Sequence, residues 1–298
     1  MKRDGATISL WQKNMPDYTA GQTASTDTTF DVLIAGGGIT GITTALLLQK
    51  AGKKVIVAEA HSLCFGTTGG TTSHINSFLD TSYDQIESDF GKNASQLVSK
   101  ATRQSRELFN RNVKDYNINC GFEEKDGYVY AQTPEQVEQL DKMYEASKTA
   151  GAEVEYVEQI PVPVEFEKAI RYRGQLQLHP TRYVLALAKA FEASGGVIVQ
   201  SSPVEKFEKE DDGLRIETGS GTIRAKNLIW ATHIPPGINL LHFRNAPYRS
   251  YAISVKLNND AYPDALAYDM YDPYHYYRTQ DIDGEKHLIV GGEDHKTA

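Results

Sequence analysis

The apolar positions of this chain change period several times, and each change marks an element. Val32, Leu33, Ile34 and Ala35 form an unbroken apolar run, the pattern of a strand buried on both faces. A helical stretch follows, and then a second apolar strand from Lys54 to Ala58. Over 93–115, Leu97, Val98, Ala101, Leu108, Phe109 and Val113 recur at helical spacing and predict an amphipathic helix. Gly121 to Thr133 contains the alternating strand GYVYAQ. Pro134 to Ala150 reads as another helix, with Thr133 as N-cap and Pro134 in the first helical position. A third helix is expected over 181–194, capped by Thr181 and closed by Gly195-Gly196. Beyond it strands dominate. Val197 to Gln200 is short and apolar, and Val204–Lys209 and Leu214–Thr218 flank the hairpin signal Asp211-Asp212-Gly213. Thr222–Thr232 ends in Leu228, Ile229, Trp230 and Ala231. Three more strands are expected over Tyr251–Leu257, Ala267–Thr279 and His287–Val290.

Between the first two strands lies Gly36-x-Gly38-x-x-Gly41. Such glycines carry little information alone. A strand before them, a helix after them, a second strand and a terminal acid, Glu59, make the arrangement that of a dinucleotide-binding βαβ unit. Gly36 permits the tight turn, Gly38 lets a pyrophosphate approach the backbone, and Gly41 lets helix and strand pack closely. The helix N-terminus offers amide donors and the positive end of its dipole to phosphates. Glu59 can accept from both ribose hydroxyls, and its charge disfavours a 2′-phosphate, hence NADP. The expected fold class is therefore α/β. A Rossmann-like nucleotide domain with a parallel sheet, 1–83 and 171–239, carries an inserted, mainly antiparallel α+β substrate domain, 84–170 and 240–298.

Composition narrows the partners. The 298 residues suffice for two domains. A net charge of −8 argues against a nucleic-acid partner and supplies no basic stripe for a membrane surface. No apolar run is long enough for a membrane span, and no signal-peptide core follows Lys2 and Arg3. The two cysteines, Cys64 and Cys120, form no metal pattern and fit a cytoplasmic protein; no metal site is expected. Residues 12–29 are polar and Thr-rich and are expected to form a surface arm. The loop 61–82, dense in Gly, Thr and Ser, is long enough to be functional.

Several further segments stand beside Asp31–Glu59: Gly66-Thr67-Thr68-Gly69-Gly70-Thr71-Thr72; Gln177-Leu178-His179-Pro180 with Tyr183; Val204; Ile229-Trp230-Ala231-Thr232-His233; and the closing run from Leu288 to His295. Together they resemble the D-amino-acid oxidase/glycine oxidase superfamily of FAD-dependent oxidoreductases over most of 30–295. The resemblance implies FAD as cofactor. It implies Gly36, Gly38, Ile39, Thr40, Gly41, Glu59 and Ala60 around the ADP half, and Thr67, Thr68 and Thr72 near the pyrophosphate and flavin. It also implies Val204 holding the adenine edge through its backbone, and Ala231 and Thr232 beside the cofactor. The three threonine hydroxyls could equally serve their own loop's backbone.

The opening SLWQ and closing VGGEDHKT resemble the branch that carries a C-terminal Rieske iron–sulfur domain, whose cysteine–histidine pairs do not occur in this sequence. There are two departures from the family pattern. Gly70 stands where many relatives have arginine. The sequence also stops at Ala298, where relatives continue with a segment that closes over the isoalloxazine ring. A fragment or a short member is expected from this, holding FAD poorly.

The implied activity is oxidation of a C–N bond in a small amine or amino acid, with hydride passing to the flavin. Arg278 suits a substrate carboxylate, because its guanidinium is a planar donor fork, or it is equally a surface arginine on an exposed strand. Tyr276, with Tyr268, Tyr271, Tyr274 and Tyr277, could line an amine pocket or simply suit strands. His74 and Cys64 are conceivable covalent flavin attachment points, though nothing local favours this, and His179 and His233 read as structural. Two competing readings are a non-catalytic nucleotide-binding fragment and an NAD-dependent dehydrogenase. The Ala231-Thr232 motif and the single fingerprint argue against the dehydrogenase.

Overall fold

A computed structural model describes residues 7–13, 15–21, 28–234 and 248–296. Its elements in chain order are β1 (Thr29–Ala35), α1 (Ile39–Lys50), β2 (Val55–Ala58), α2 (Thr67–Gly70), β3 (His74–Ile75), α3 (Tyr83–Phe90), α4 (Lys92–Asp115), β4 (Glu123–Ala131), α5 (Pro134–Ala150), β5 (Val154–Val157), β6 (Lys168–Gln177), α6 (Pro180–Ala193), β7 (Val197–Val199), β8 (Val204–Glu210), β9 (Gly213–Thr218), β10 (Gly221–Trp230), β11 (Tyr248–Val255), β12 (Leu266–Tyr268), β13 (Tyr276–Ile282) and β14 (Glu285–Lys296). They divide into two compact units. The first takes the chain up to Thr71, Lys114–Cys120 and the chain from His179; the second takes Thr72–Val113, Gly121–Leu178 and the last part of the chain.

The first unit holds a six-stranded sheet in the order β7-β2-β1-β10-β9-β8. Its first four strands run parallel, and β9 and β8 are antiparallel additions. Leu33, Ile34 and Ile56 of the inner strands and Ile42 of α1 are all 0% exposed, and full burial of such a side chain stabilises by about 1.5–3 kcal/mol. Within the expected surface arm, exposed at Lys13, Pro16, Asp17 and Thr19, Gln12 and Tyr18 are tied to this unit. Trp11 is buried and donates from Nε1 to the Thr71 carbonyl at 2.6 Å. Gln12 donates to the Cys64 carbonyl, and Tyr18 donates to Glu192.

The second unit holds one mainly antiparallel sheet in the order β11-β14-β13-β12-β4-β6-β3, with β5 paired on β6. Tyr128, Ser254 and Tyr276 thus lie in the same sheet, with β12–β4 its one parallel pairing. Helices α3 and α5 cover it through Tyr83, Ile86, Leu140 and Tyr144, packed on Val129, Ile170, Tyr172 and Leu266. Residues 72–83 and 171–178, expected with the nucleotide domain, lie in this unit because β3 pairs with the end of β6, His74 opposite Gln177 and Ile75 opposite Leu176. The boundary expected between 239 and 240 lies outside the described residues.

Three local expectations are corrected. Helix α6 begins at Pro180 and is capped by His179, whose ring accepts from the Arg182 amide at 3.3 Å, while Thr181 is inside the helix. In α4 the buried positions are Ser95, Ser99 and Asn112, whereas Leu97 is 65% exposed. The strand expected over Ala267–Thr279 is two strands. The Asp269 carboxylate accepts from the backbone amides of Tyr271 and His275 at 3.3 and 2.8 Å and folds the intervening residues into a turn.

His275 closes that turn. Its Nδ1 meets Asp269 Oδ2 at 2.7 Å and its Nε2 meets Glu293 Oε1 at 3.3 Å. The hydrogen bond to Asp269, with help from Glu293, raises the imidazole above its ordinary 6.5. A group whose folded pKa is raised adds stability that is complete below the unfolded value and fades as pH rises through the folded one. Wild type should therefore lose its stability advantage over His275→Gln as pH goes from about 6 to 8. Urea midpoints of both proteins across that range check this, and a constant difference between them would show that the imidazole does not titrate in the fold.

Candidate functional site

Three chain crossings meet at the carboxyl ends of parallel strands in the first unit, where ligands bind in open α/β sheets. After β1, Gly36 sits at φ +113°, and a Cβ there would stand 2.5 Å from the Ala231 carbonyl oxygen. Its amide donates to Ala58 at 2.8 Å, and the Ala231 amide donates to Ala35 at 2.8 Å, so the ends of β1, β2 and β10 are locked together. A Cβ on Gly41 would come within 1.9 Å of the Gly36 oxygen, so helix and strand approach as the fingerprint requires. Gly38 is the N-terminal boundary of α1 and supplies no side-chain cap. The Ile39 amide is met instead by Thr68 Oγ1 at 3.0 Å. Thr40 is exposed on the first turn.

Glu59 follows β2. Its Oε2 accepts from the Gly37 amide at 2.6 Å and its Oε1 from the His61 amide at 2.9 Å. Ala60 beside it is exposed. The chain from Val199 to Ser202 is pinned against this corner: Glu59 N–H donates to Val199, Ser201 N–H to His61, and Ser202 N–H to Glu59. Val204, two residues on, opens β8 and is half-buried opposite Thr218. Thr232 follows the end of β10, and its hydroxyl donates to the Ile234 carbonyl at 2.9 Å.

The loop after β2 divides. Thr67 and Thr68 form a short turn of helix in the first unit, with Thr67 exposed. Gly69 is packed, since a Cβ would stand 2.2 Å from the Cys64 carbonyl, but nothing lies within 4 Å of one on Gly70. Thr72 belongs to the second unit, where its side chain and that of Ser250 hydrogen-bond to the half-buried Tyr276. Cys64 is buried, and burial pushes its thiol up to about 12, which leaves little thiolate for covalent attachment.

Arg278 is not on an open wall. It is 0% exposed, donates to the Ser73 carbonyl at 2.6 Å and the Leu178 carbonyl at 3.4 Å, and is bonded to Gln280. Burial lowers its pKa, but a guanidinium still keeps its charge at neutral pH. The expected carboxylate clamp is thus an interior tether of the second unit, because both terminal nitrogens of its fork are bonded to the fold. The loop that follows β3 instead forms a cavity of about 320 Å³ lined by His74, Asn76, Phe78, Leu79, Asp80 and Thr81. Of these, sequence reasoning singled out only His74. Asn76 and Asp80 gave no signal, since their setting is made by Tyr268 and Tyr274, about two hundred positions away in the chain. Among the described residues no cluster of three or more His, Cys, Asp or Glu could hold a metal, and no helix is long and apolar enough to cross a membrane.

The fingerprint at the strand ends agrees with a family match that spans nine-tenths of the chain, residues 31–298, to the model described as FAD dependent oxidoreductase. The chain belongs to this family, DAO. It is 30% identical over 296 residues to the putative Rieske 2Fe-2S iron-sulfur protein YhfW of Bacillus subtilis (strain 168), covering 98% of this chain and 57% of that protein. It is 25% identical over 232 residues to gamma-glutamylputrescine oxidoreductase of Escherichia coli (strain K12), covering 76% and 54%. The glycine oxidase of Geobacillus kaustophilus shares the fold at TM-score 0.72 and 19% identity, covering 91% of this chain and 72% of that one. The L-amino acid deaminase of Proteus myxofaciens shares it at TM-score 0.73 and 14% identity, covering 93% and 61%. The chain spans little more than half the length of these curated relatives.

The corner of the DAO member fits a dinucleotide. An ionised carboxylate has about four lone-pair sites. Backbone amides take two of those on Glu59, which leaves one on each oxygen for a ribose hydroxyl. Thr68 accepts from Ile39 and keeps its own hydroxyl proton for a phosphate oxygen. A Cβ on Gly38 would enter the same space, 2.8 Å from Thr68 Oγ1.

Proposed function

We propose that the first unit holds FAD by its adenosine-diphosphate half and that the protein oxidises the C–N bond of a small amine or amino acid. The observation that carries this reading is the convergence of Gly36–Gly41, Glu59 and Ala231–Thr232 at the carboxyl ends of three adjacent parallel strands. Glu59 takes the ribose hydroxyls and disfavours a 2′-phosphate. The start of α1, with Thr68, takes the pyrophosphate. When bound, FAD would supply the hydride acceptor for oxidation of the carbon that bears nitrogen. The relatives named glycine oxidase, L-amino acid deaminase and gamma-glutamylputrescine oxidoreductase supply the substrate class.

The purified protein should show flavin absorbance bands, release FAD on denaturation, and bleach anaerobically with an amine or amino acid. Gly38→Val should remain folded and lose the bands, because its side chain fills the space beside Thr68. A colourless protein that takes up no added FAD would overturn the proposal, as would Gly38→Val with full FAD content.

A further inference from the structure

We infer that residues 9–12 form a clasp for the cofactor: Trp11 and Gln12 are positioning residues that hold the loop 64–71 so that the Thr68 hydroxyl stays at the start of α1. This rests on the reading above in taking that place for the pyrophosphate site. All the residues concerned belong to the first unit. The loop is poorly equipped to order itself. Its helix, α2, is a single turn of four residues that ends in Gly69-Gly70 and has no side-chain cap at Gly66. So short a helix does not persist without outside support, and glycine is a weak helix former. Yet the loop brings Thr68 Oγ1 to the Ile39 amide, 3.0 Å away.

The support comes from far upstream in the chain. Gln12 Nε2 donates to the Cys64 and Phe65 carbonyls at 3.1 and 3.2 Å, and Trp11 Nε1 donates to the Thr71 carbonyl at 2.6 Å. The two side chains thus grip the loop on both sides of α2, ahead of Thr67 and behind Gly70. The clasp itself is braced. Ser9 and Gln12 form a capping box: the Gln12 N–H meets Ser9 Oγ at 3.2 Å, and the Ser9 N–H meets Gln12 Oε1 at 3.3 Å. That second bond requires an acceptor, so it settles which end of the Gln12 amide is oxygen and turns the nitrogen to the loop. Trp11 is buried and stands edge-on to His179, with ring centroids 5.0 Å apart, and the His179 ring caps α6. The fit is close. A Cβ on Gly69 would stand 2.3 Å from Gln12 Nε2, so a glycine there lets the clasp lie against α2. Such a clasp acts on affinity by keeping the binding-competent loop populated, and apparent affinity falls in proportion to that population.

Calorimetry on the full chain tests this with FAD and with ADP, a probe that lacks the flavin. Gln12→Met keeps the side chain's length and loses both bonds to the loop. Trp11→Phe keeps a ring against His179, loses the indole donor, and carries the same test if Gln12→Met does not fold. Each should weaken FAD and ADP about fivefold, the size expected of one intramolecular hydrogen bond. Hydrogen exchange of ligand-free Gln12→Met should quicken over 64–71 and stay as in wild type over α6. Two comparisons isolate the route. Tyr18→Phe cuts the bond to Glu192, on the same stretch of chain but away from the loop, and should leave FAD affinity unchanged. In a Thr68→Val background, which lacks the hydroxyl, Gln12→Met should cost less than about twofold, because the clasp then has nothing to position. The inference is overturned if folded Gln12→Met binds FAD as wild type does, or if its cost is undiminished beside Thr68→Val. Tyr18→Phe weakening FAD as much as Gln12→Met also overturns it, since the whole arm would then be responsible. If wild type takes up neither FAD nor ADP, the proposed function fails, and exchange still decides the clasp: no quickening over 64–71 in Gln12→Met overturns it.

Discussion

Gly41→Ala is expected to abolish the first unit rather than merely weaken its ligand. The added methyl carbon would lie 1.9 Å from the Gly36 carbonyl oxygen, a backbone atom that cannot rotate away. The Gly36 region is itself held by its bonds to β2 and by the approach of Ala231, so the clash has no soft direction. Overpacking a well-packed core costs about 1–3 kcal/mol when side chains can yield, and losses above about 4–5 kcal/mol follow when they cannot. Melting should fall far below that of wild type, with all flavin lost. Two glycines serve as controls. Gly52 has φ +80° with nothing within 4 Å of a Cβ, and Gly70 has the same open space. Gly52→Ala should cost only the strain of its backbone, about 1 kcal/mol, and Gly70→Ala close to nothing. Melting curves of the three variants check this. A Gly41→Ala protein as stable as Gly70→Ala would mean that helix and strand do not meet as described.

That contrast shows what a sequence can and cannot carry. The βαβ corner was legible because each requirement is local: a glycine where the chain turns, a glycine where helix meets strand, an acid at the end of β2. The Thr133 cap and Pro134 start of α5 were legible for the same reason, and Thr133 accepts from the Gln136 amide at 3.3 Å. Helix α6 was misplaced at its start because two adjacent cap candidates compete, and a histidine ring won over a threonine hydroxyl. The helix α4 was found, but its buried face only in part: Val98 packs on the core of the second unit, and Leu108, Phe109 and Val113 are half-buried. Leu97 points to solvent while Ser95, Ser99 and Asn112 go inward, against the usual order of hydrophobicity. The cavity of the second unit was invisible because Tyr268 and Tyr274 reach His74, Asn76 and Asp80 from the other end of the chain. The site of Arg278 was mistaken for a more instructive reason. Arg278 and Gln280 share one face of β13, between the half-buried Tyr277 and Thr279 and the exposed Asp281, and polarity alone would turn that face outward, yet both are buried.

Arg278→Met therefore separates two roles that predict opposite results. A carboxylate clamp on an open wall would tolerate the change in stability and lose only substrate affinity. An interior tether cannot, because the substitution removes the buried donor to the Ser73 and Leu178 carbonyls and to Gln280 Oε1, although the Gln280 amide keeps its bond to Gly121. Each stranded buried group costs about 1–3 kcal/mol, and breaking a buried charged network by removing one member typically costs about 3–5 kcal/mol. Methionine restores part of the lost packing but none of the donors. Arg278→Lys keeps the charge and gives up the fork, so it should fall between Met and wild type. Urea denaturation reads these losses directly. A second readout distinguishes the tether from a generic core defect. Arg278 is one of the two influences that hold His74 below its usual pKa, so His74 in a folded Arg278→Met protein should titrate higher than in wild type. Nuclear magnetic resonance of the His74 ring follows that shift. Unchanged stability with a raised KM would return Arg278 to the substrate side. Lost stability with an elevated His74 pKa places it where the fold does, behind the imidazole that lines the cavity.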